Sequence, residues 1–327
     1  MKKLLYLLVL AIPFLSYCKK NTALPIKDNP PIGNTDSIIP IKKATYNGTD
    51  IKVDTTIYTK QPITHYLENT SLVEQSGIAA SAAQDSIFYI HQDSGNAAII
   101  YIINTNGKSI GKIMLNGIHN RDWEDIAVGP GPITGKSYIY LADIGDNDAK
   151  YPAIVVYRFQ EPDLLSQKTD QEYLISEFDQ IRLKYNDGPK NAESLMVDPV
   201  TKDIYIATKE SNNAKIYRVG YPQNIQETTT IRSSVQLPFD KLTAGDISSD
   251  GSGILLRNKS TVWYWRRTSK QDIITTLLTA PISIPIQMEY QGEGICFAPK
   301  LEGIYTNTEV NKSNSASPYF NFYSRKK

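Results

Sequence analysis

Acidic residues stand at the openings of several short apolar runs in this chain, and their types and spacing suit metal or acid–base chemistry. Glu124 and Asp125 open "DWEDIAVGP", Glu193 opens "ESLMVDPV", Asp246 opens "GDISSDG" and Glu293 opens "GEGICFAP". A strand entering a dry core gathers apolar side chains, so acids at its first positions call for polar surroundings. Carboxylates brought close together raise one another's pKa or recruit cations. Three chemistries follow. The acids cap backbone N–H groups and pair with Lys209 and Arg257, or they hold Ca²⁺, or a metal or carboxylate pair among them activates water on a bound ester or phosphate. The Ca²⁺ reading centres on "DIGDND", with Asp143, Asp146 and Asn147 as ligands, although that stretch lacks the spacing and terminal Glu of an EF-hand. No GxSxG, HExxH, phosphate-loop or dinucleotide fingerprint occurs.

These residues recur because the elements that carry them recur. "SGIAASAAQDSIFYIHQDSGN", "EDIAVGPGPITGKSYIYLADIGDN", "ESLMVDPVTKDIYIATKESNN", "GDISSDGSGILLRNKS" and "EGICFAPKLEGIYTNTEVN" each read as strand, turn, strand and polar loop. Their apolar anchors Ile78, Ile126, Leu195, Ile247 and Ile295 are spaced by about 50 to 70 residues, a period that suits propeller blades. Third strands follow each, and fourth strands follow the first four as "KSIGKIML", "FDQIRLKY", "TTTIRSSVQL" and "IITTLLTAP". The fifth repeat stops after its third strand, so the N-terminal segment "TDIKVDTTIYTKQPITHYL" is expected to close the ring and remove an exposed edge. The fold class is therefore all-β, a single propeller. Five blades follow from the count, and six follow if the N-terminal segment holds more than one outer strand.

Blade geometry sets innermost strands around a central channel and places their first residues at its mouth. That face would collect Glu124, Asp125, Glu193, Asp246 and Glu293. The ends of the second strands would add His91, Asp93, Lys209, Arg257 and Glu309 to the same ligand-binding face. The opposite face receives the Gly/Pro turns and reads as bland.

The N-terminus does not belong to the ring. "MKKLLYLLVLAIPFLSYCKK" has the basic start and apolar centre of a secretory signal over residues 1–17. "LSYC" resembles the lipobox of bacterial lipoproteins, which makes Cys18 the lipidated residue and the membrane a partner through its anchor. Residues 18–43 read as a Pro-rich tether and 44–327 as the propeller. Cys296, the only other cysteine, reads as a buried small hydrophobe. With 35 Lys plus Arg against 34 Asp plus Glu, the charge is too evenly balanced for nucleic-acid binding. The expected partner of the monomer is a small-molecule or protein ligand in the cell envelope.

"DWEDIAVGP…SYIYLADIGDN", together with "NAESLMVDPVTKDIYIATK" and "QGEGICFAP", resembles a widespread family of bacterial exported β-propellers. More distantly it is similar to the SdiA-regulated, NHL-repeat and esterase-like phytase propellers. The resemblance spans about residues 70 to 310 and implies a fold more than a reaction. Two functions stay open from the residues: a binding module using the acidic face, or a metal-dependent hydrolase of phytase, lactonase or esterase type at the same place.

Overall fold

The computed structural model describes residues 40–164, 170–268, 271–314 and 316–327. The expected secretory signal, Cys18 and most of the expected tether lie outside the described residues. Five antiparallel blades surround one axis. Their innermost strands are Gln75–Ala80, Trp123–Pro130, Ala192–Val197, Ala244–Ile247 and Gln291–Phe297, in blades 1 to 5. Ala192–Val197 is buried along its whole length, because an inner strand is covered by a neighbouring blade on each side. Asp179–Tyr185 in the outer part of blade 2 alternates, with Ile181, Leu183 and Tyr185 inward and Arg182 and Lys184 in solvent.

The core is likewise a ring. Apolar clusters fill the gaps between successive blades, and the last joins Ile78, Phe88 and Ile103 of blade 1 to Cys296, Tyr305 and Phe320 of blade 5. Cys296 sits there as a buried free thiol. Closure comes from the N-terminal segment: Ile63–Tyr66 pairs antiparallel with Tyr319–Ser324 and supplies the fourth strand of blade 5. Among the described residues that makes five blades, with no sixth.

Three strand expectations change. In "IITTLLTAP" the stretch Ile273–Leu277 is a short helix, and blade 4 takes Ile282–Ile284 as its fourth strand. Asp272 caps the helix, accepting from Thr275 N at 3.0 Å, while Ile273, Ile274 and Leu277 turn inward at helical spacing. "TTTIRSSVQL" divides at Arg232: Thr229–Ile231 joins blade 2 and Ser233–Gln236 joins blade 3. Lys42–Lys43 already pairs with Ser233–Gln236, so the fold reaches back before Ala44. Along with Gln171–Ile175 on blade 1 and Lys52–Val53 on blade 4, these fifth strands run parallel to outer strands and cover their edges.

Candidate functional site

The glutamates reach the channel mouth through β-bulges. The pairing of inner and second strands slips between Gln75 and Ile78, Trp123 and Asp125, Ala192 and Ser194, and Gly292 and Ile295. Each slip leaves an extra residue on the inner strand, and Glu124, Glu193 and Glu293 lie in these slips. A bulge breaks the two-residue alternation, so a side chain is re-aimed. Consecutive residues Glu124 and Asp125 can then both turn toward the channel. Blade 4 pairs without a slip from Ala244 to Ile247 and has Gly245 at that level. It alone adds neither an acid nor a bulge.

The tightest group is Asp93, Asp122 and Glu124, whose carboxylate oxygens all lie within 4.8 Å of one another. Asn120 sets this geometry. Its amide donates to Gln92 O at 3.1 Å and Asp93 O at 2.9 Å, while its carbonyl accepts from Trp123 N at 2.9 Å. The start of blade 2 is thereby clipped to the end of blade 1's second strand. Gly145 completes the fit: its N–H donates to Asp122 O at 3.1 Å, and a Cβ there would overlap both the Glu124 and the Asp122 carboxylates. "DWED" and "DIGDN" therefore meet in space.

Glu124 is only 6% exposed, and no described residue donates a hydrogen bond to its carboxylate or pairs with it. Burial first, and then Glu193, Asp93 and Asp122, hold its pKa well above the usual carboxylate range. Asp122 is also raised, by burial against a hydrogen bond from the Ser94 hydroxyl, and Asp93 is raised by burial although it accepts from Ser94 N at 2.5 Å.

Beside this group, Lys209 pairs with Glu193. Burial pushes Glu193 up to about 7 even so, and burial together with Glu193 pushes Glu293 to about 8. Burial works against the Lys209 ammonium, yet Glu193 and Glu293 raise its pKa on balance. Glu309 accepts from Gln291 Nε2 at 2.6 Å and adds to the charge facing Glu293 and Asp93. One lysine thus faces a ring of carboxyls.

Other sequence candidates are placed elsewhere or have their polar atoms occupied. Asp125 Oδ1 accepts from its neighbour Ile126 N at 2.9 Å, and Oδ2 accepts from Leu195 N at 2.8 Å and Gly245 N at 3.5 Å, tying blades 2, 3 and 4 below the mouth. Asp246 Oδ2 accepts from Phe297 N at 2.8 Å and ties blade 4 to blade 5, and its carboxyl borders a cavity at the opposite end of the channel. Arg257 is fully buried against Glu289 at 2.7 Å and donates to Gly294 O at 3.0 Å, in space that Gly292 leaves free. His91 is a core residue, edge-on to Trp123 with ring centroids 5.9 Å apart, and burial lowers it to about 4.

The expected calcium ligands separate likewise. Asp143 is paired with Arg121 at 3.0 Å, with burial raising it to about 6. Asp146 spends its two oxygens on Lys150 N at 2.9 Å and Tyr151 N at 2.7 Å, and Asn147 accepts from Asn191 Nδ2 at 3.0 Å. "DIGDND" is a self-capped loop that buttresses the acids. Sequence reasoning missed Asp122 as a member of the acidic group, and missed Asn120, Gly145 and Glu289, whose roles depend on distant partners.

The molecule so defined is a five-bladed β-propeller with a carboxylate-lined channel mouth. No protein-family profile matches the chain, and no curated protein matches it. Among solved structures it is similar to a gluconolactonase from Xanthomonas campestris, at 10% identity over 84% of this chain and 88% of that one, with a TM-score of 0.45. So distant a likeness carries no argument about activity.

Proposed function

We propose that this propeller is a ligand-binding module whose acidic mouth works through a divalent cation, with Ca²⁺ the best match to an all-oxygen ligand set. The observation that carries this reading is Glu124, nine-tenths buried and without a partner among the described residues, facing Asp93 and Asp122. Uncompensated buried carboxylates are costly, and a hard cation would remove that cost while leaving coordination positions for a ligand's oxygens. The ligand is a small molecule or a protein surface in the cell envelope. The chain would be held there through lipid on Cys18, with no nucleic acid involved. Fractionation of Cys18→Ala tests the anchor: retention on membranes after a carbonate wash would rule it out.

The cation is tested by thermal melts with Ca²⁺ and with chelator. At a hundred times its dissociation constant a bound ion adds about 2.7 kcal/mol of stability, and Glu124→Gln should abolish that gain. A melt indifferent to Ca²⁺ and chelator sinks the reading.

A second reading, hydrolysis at the same mouth, rests on a separate observation. Glu193 and Glu293 hold protons near neutral pH beside Lys209, which is the property a general acid or base needs. It predicts turnover of an ester, lactone or phosphate that Glu193→Gln removes while the Ca²⁺ shift persists.

A further inference from the structure

The far end of the channel, where the inner strands finish, is not bland. Two adjoining cavities of about 210 Å³ and about 460 Å³ open there, sharing Ala82, Val128, Ile247 and Ser249 in their walls. Their origin is visible in the chain. Blade 1 ends its inner strand and turns with "AASAA", residues 79 to 83, where blade 2 has Val128–Gly129–Pro130 and blade 5 has Phe297–Ala298–Pro299. The alanines leave side-chain volume unfilled on one side of the ring.

Into this space faces Asp246. Its carboxyl is fixed by N–H groups of Phe297 and Ile247, which leaves acceptor capacity on both oxygens. Among the described residues it forms no ion pair. Lys300, the cation in the same wall, is paired with Asp85 at the rim. Asp246 thus borders a recess of mixed polarity whose apolar wall includes Val128, Ile247 and Phe297, a setting that suits a positive charge with an apolar body behind it.

We infer that the lower mouth is a second binding site, for a small organic ammonium compound whose charged end meets Asp246 and whose alkyl part lies against Val128, Ile247 and Phe297. This site is independent of the cation site at the upper mouth, from which it is separated by the Asp125 hydrogen bonds that cross the channel.

The test is calorimetric titration with hexylammonium, with 1-hexanol and hexanoate as matched probes. Hexylammonium should bind at least about tenfold more tightly than either, the ratio expected for one charge-assisted hydrogen bond. Asp246→Asn should erase the preference, since the amide can still accept from Phe297 N while losing its charge. Ala82→Trp, on the exposed rim, should block binding without touching the core or the Asp246 hydrogen bonds. Because the upper mouth is also anionic, Glu124→Gln combined with Glu193→Gln must leave hexylammonium binding intact. Equal binding of alcohol and amine, binding retained in Asp246→Asn, or binding lost in the upper-mouth double variant would each overturn the inference.

Discussion

At the waist of the channel and at its upper mouth the chain places the same kind of side chain in opposite circumstances. At the waist, Asp125 accepts from Ile126 N of its own strand and from backbone N–H groups of blades 3 and 4, and elsewhere in the interior Arg257 and Glu289 neutralise each other in full burial. At the mouth, no described residue donates a hydrogen bond to the Glu124 carboxylate or forms an ion pair with it, and Lys209, paired with Glu193, faces Glu293 and Glu124 as well. The difference separates two uses of buried charge. A carboxylate whose acceptor sites are filled by the fold holds the fold together. One left facing its like is destabilising by itself, and on the proposed reading a bound cation removes that cost.

The largest effect should come from breaking the satisfied pair. Arg257→Met strands Glu289 in the interior, a loss of about 3–5 kcal/mol for an orphaned buried charge. Adding Glu289→Gln should recover part of it. Lys209→Met, at the mouth, should cost less, because Glu193 can take up a proton instead of remaining charged. Urea unfolding of these variants decides the matter. If Lys209→Met proved the more damaging, the distinction between satisfied and unsatisfied buried charge would fail.

An intermediate effect should appear in the dependence of stability on pH. Glu193 and Glu293 bind protons more tightly in the folded protein, near 7 and 8, than at their unfolded value of about 4.3. Their contribution is therefore full below the unfolded value and is lost as pH rises through the folded ones. His91 acts oppositely, being held down to about 4, but above about 6.5 it is neutral in both states and drops out. Between about pH 6.5 and 8 the cation-free protein should lose about 1–3 kcal/mol, and Ca²⁺ should restore it. Glu193→Gln with Glu293→Gln should leave a shallower slope, due to the other buried carboxyls held above their usual range, Asp246 at about 7 together with Glu124 and Asp125. A flat profile in the parent protein would show that the mouth is already neutralised.

Much of this architecture could be read in the chain. The repeats announced their strands through short apolar runs bounded by turn residues, and the incomplete fifth repeat pointed to closure by the N-terminus. Element type failed where a local cap outweighed β-propensity, as at Asp272. Strand ownership failed where one run served two blades, as on either side of Arg232. The site was half legible. "DWED" and "DIGDN" drew the eye as acids, but which acids meet depends on bulges at Glu124 and Glu193 and on Asn120 bridging two blades. A bulge has no period in sequence, and a hydrogen bond between Asn120 and Gln92 has no local signature. The alanines of "AASAA" carried no signal in the sequence, because a cavity is defined by what is missing.

The smallest effect should come from the loop that the sequence put forward as the metal ligand set. Asn147 is exposed, and among the described residues its side chain makes one hydrogen bond, accepted from Asn191 Nδ2 at 3.0 Å. Asn147→Ala should shift stability by no more than about 0.5 kcal/mol, as for a surface residue outside any buried network. The response to Ca²⁺ should be unchanged, because the ion would be held by Asp93, Asp122 and Glu124 across the junction of blades 1 and 2. Asp122→Asn should do the reverse, relieving charge repulsion in the cation-free protein while removing a ligand, so that the apo melt rises slightly and the Ca²⁺ shift shrinks. Calcium titration of both variants by calorimetry separates the alternatives. If Asn147→Ala abolished binding and Asp122→Asn did not, the cation would belong to "DIGDND", and the bulged glutamates would only shape the field around it.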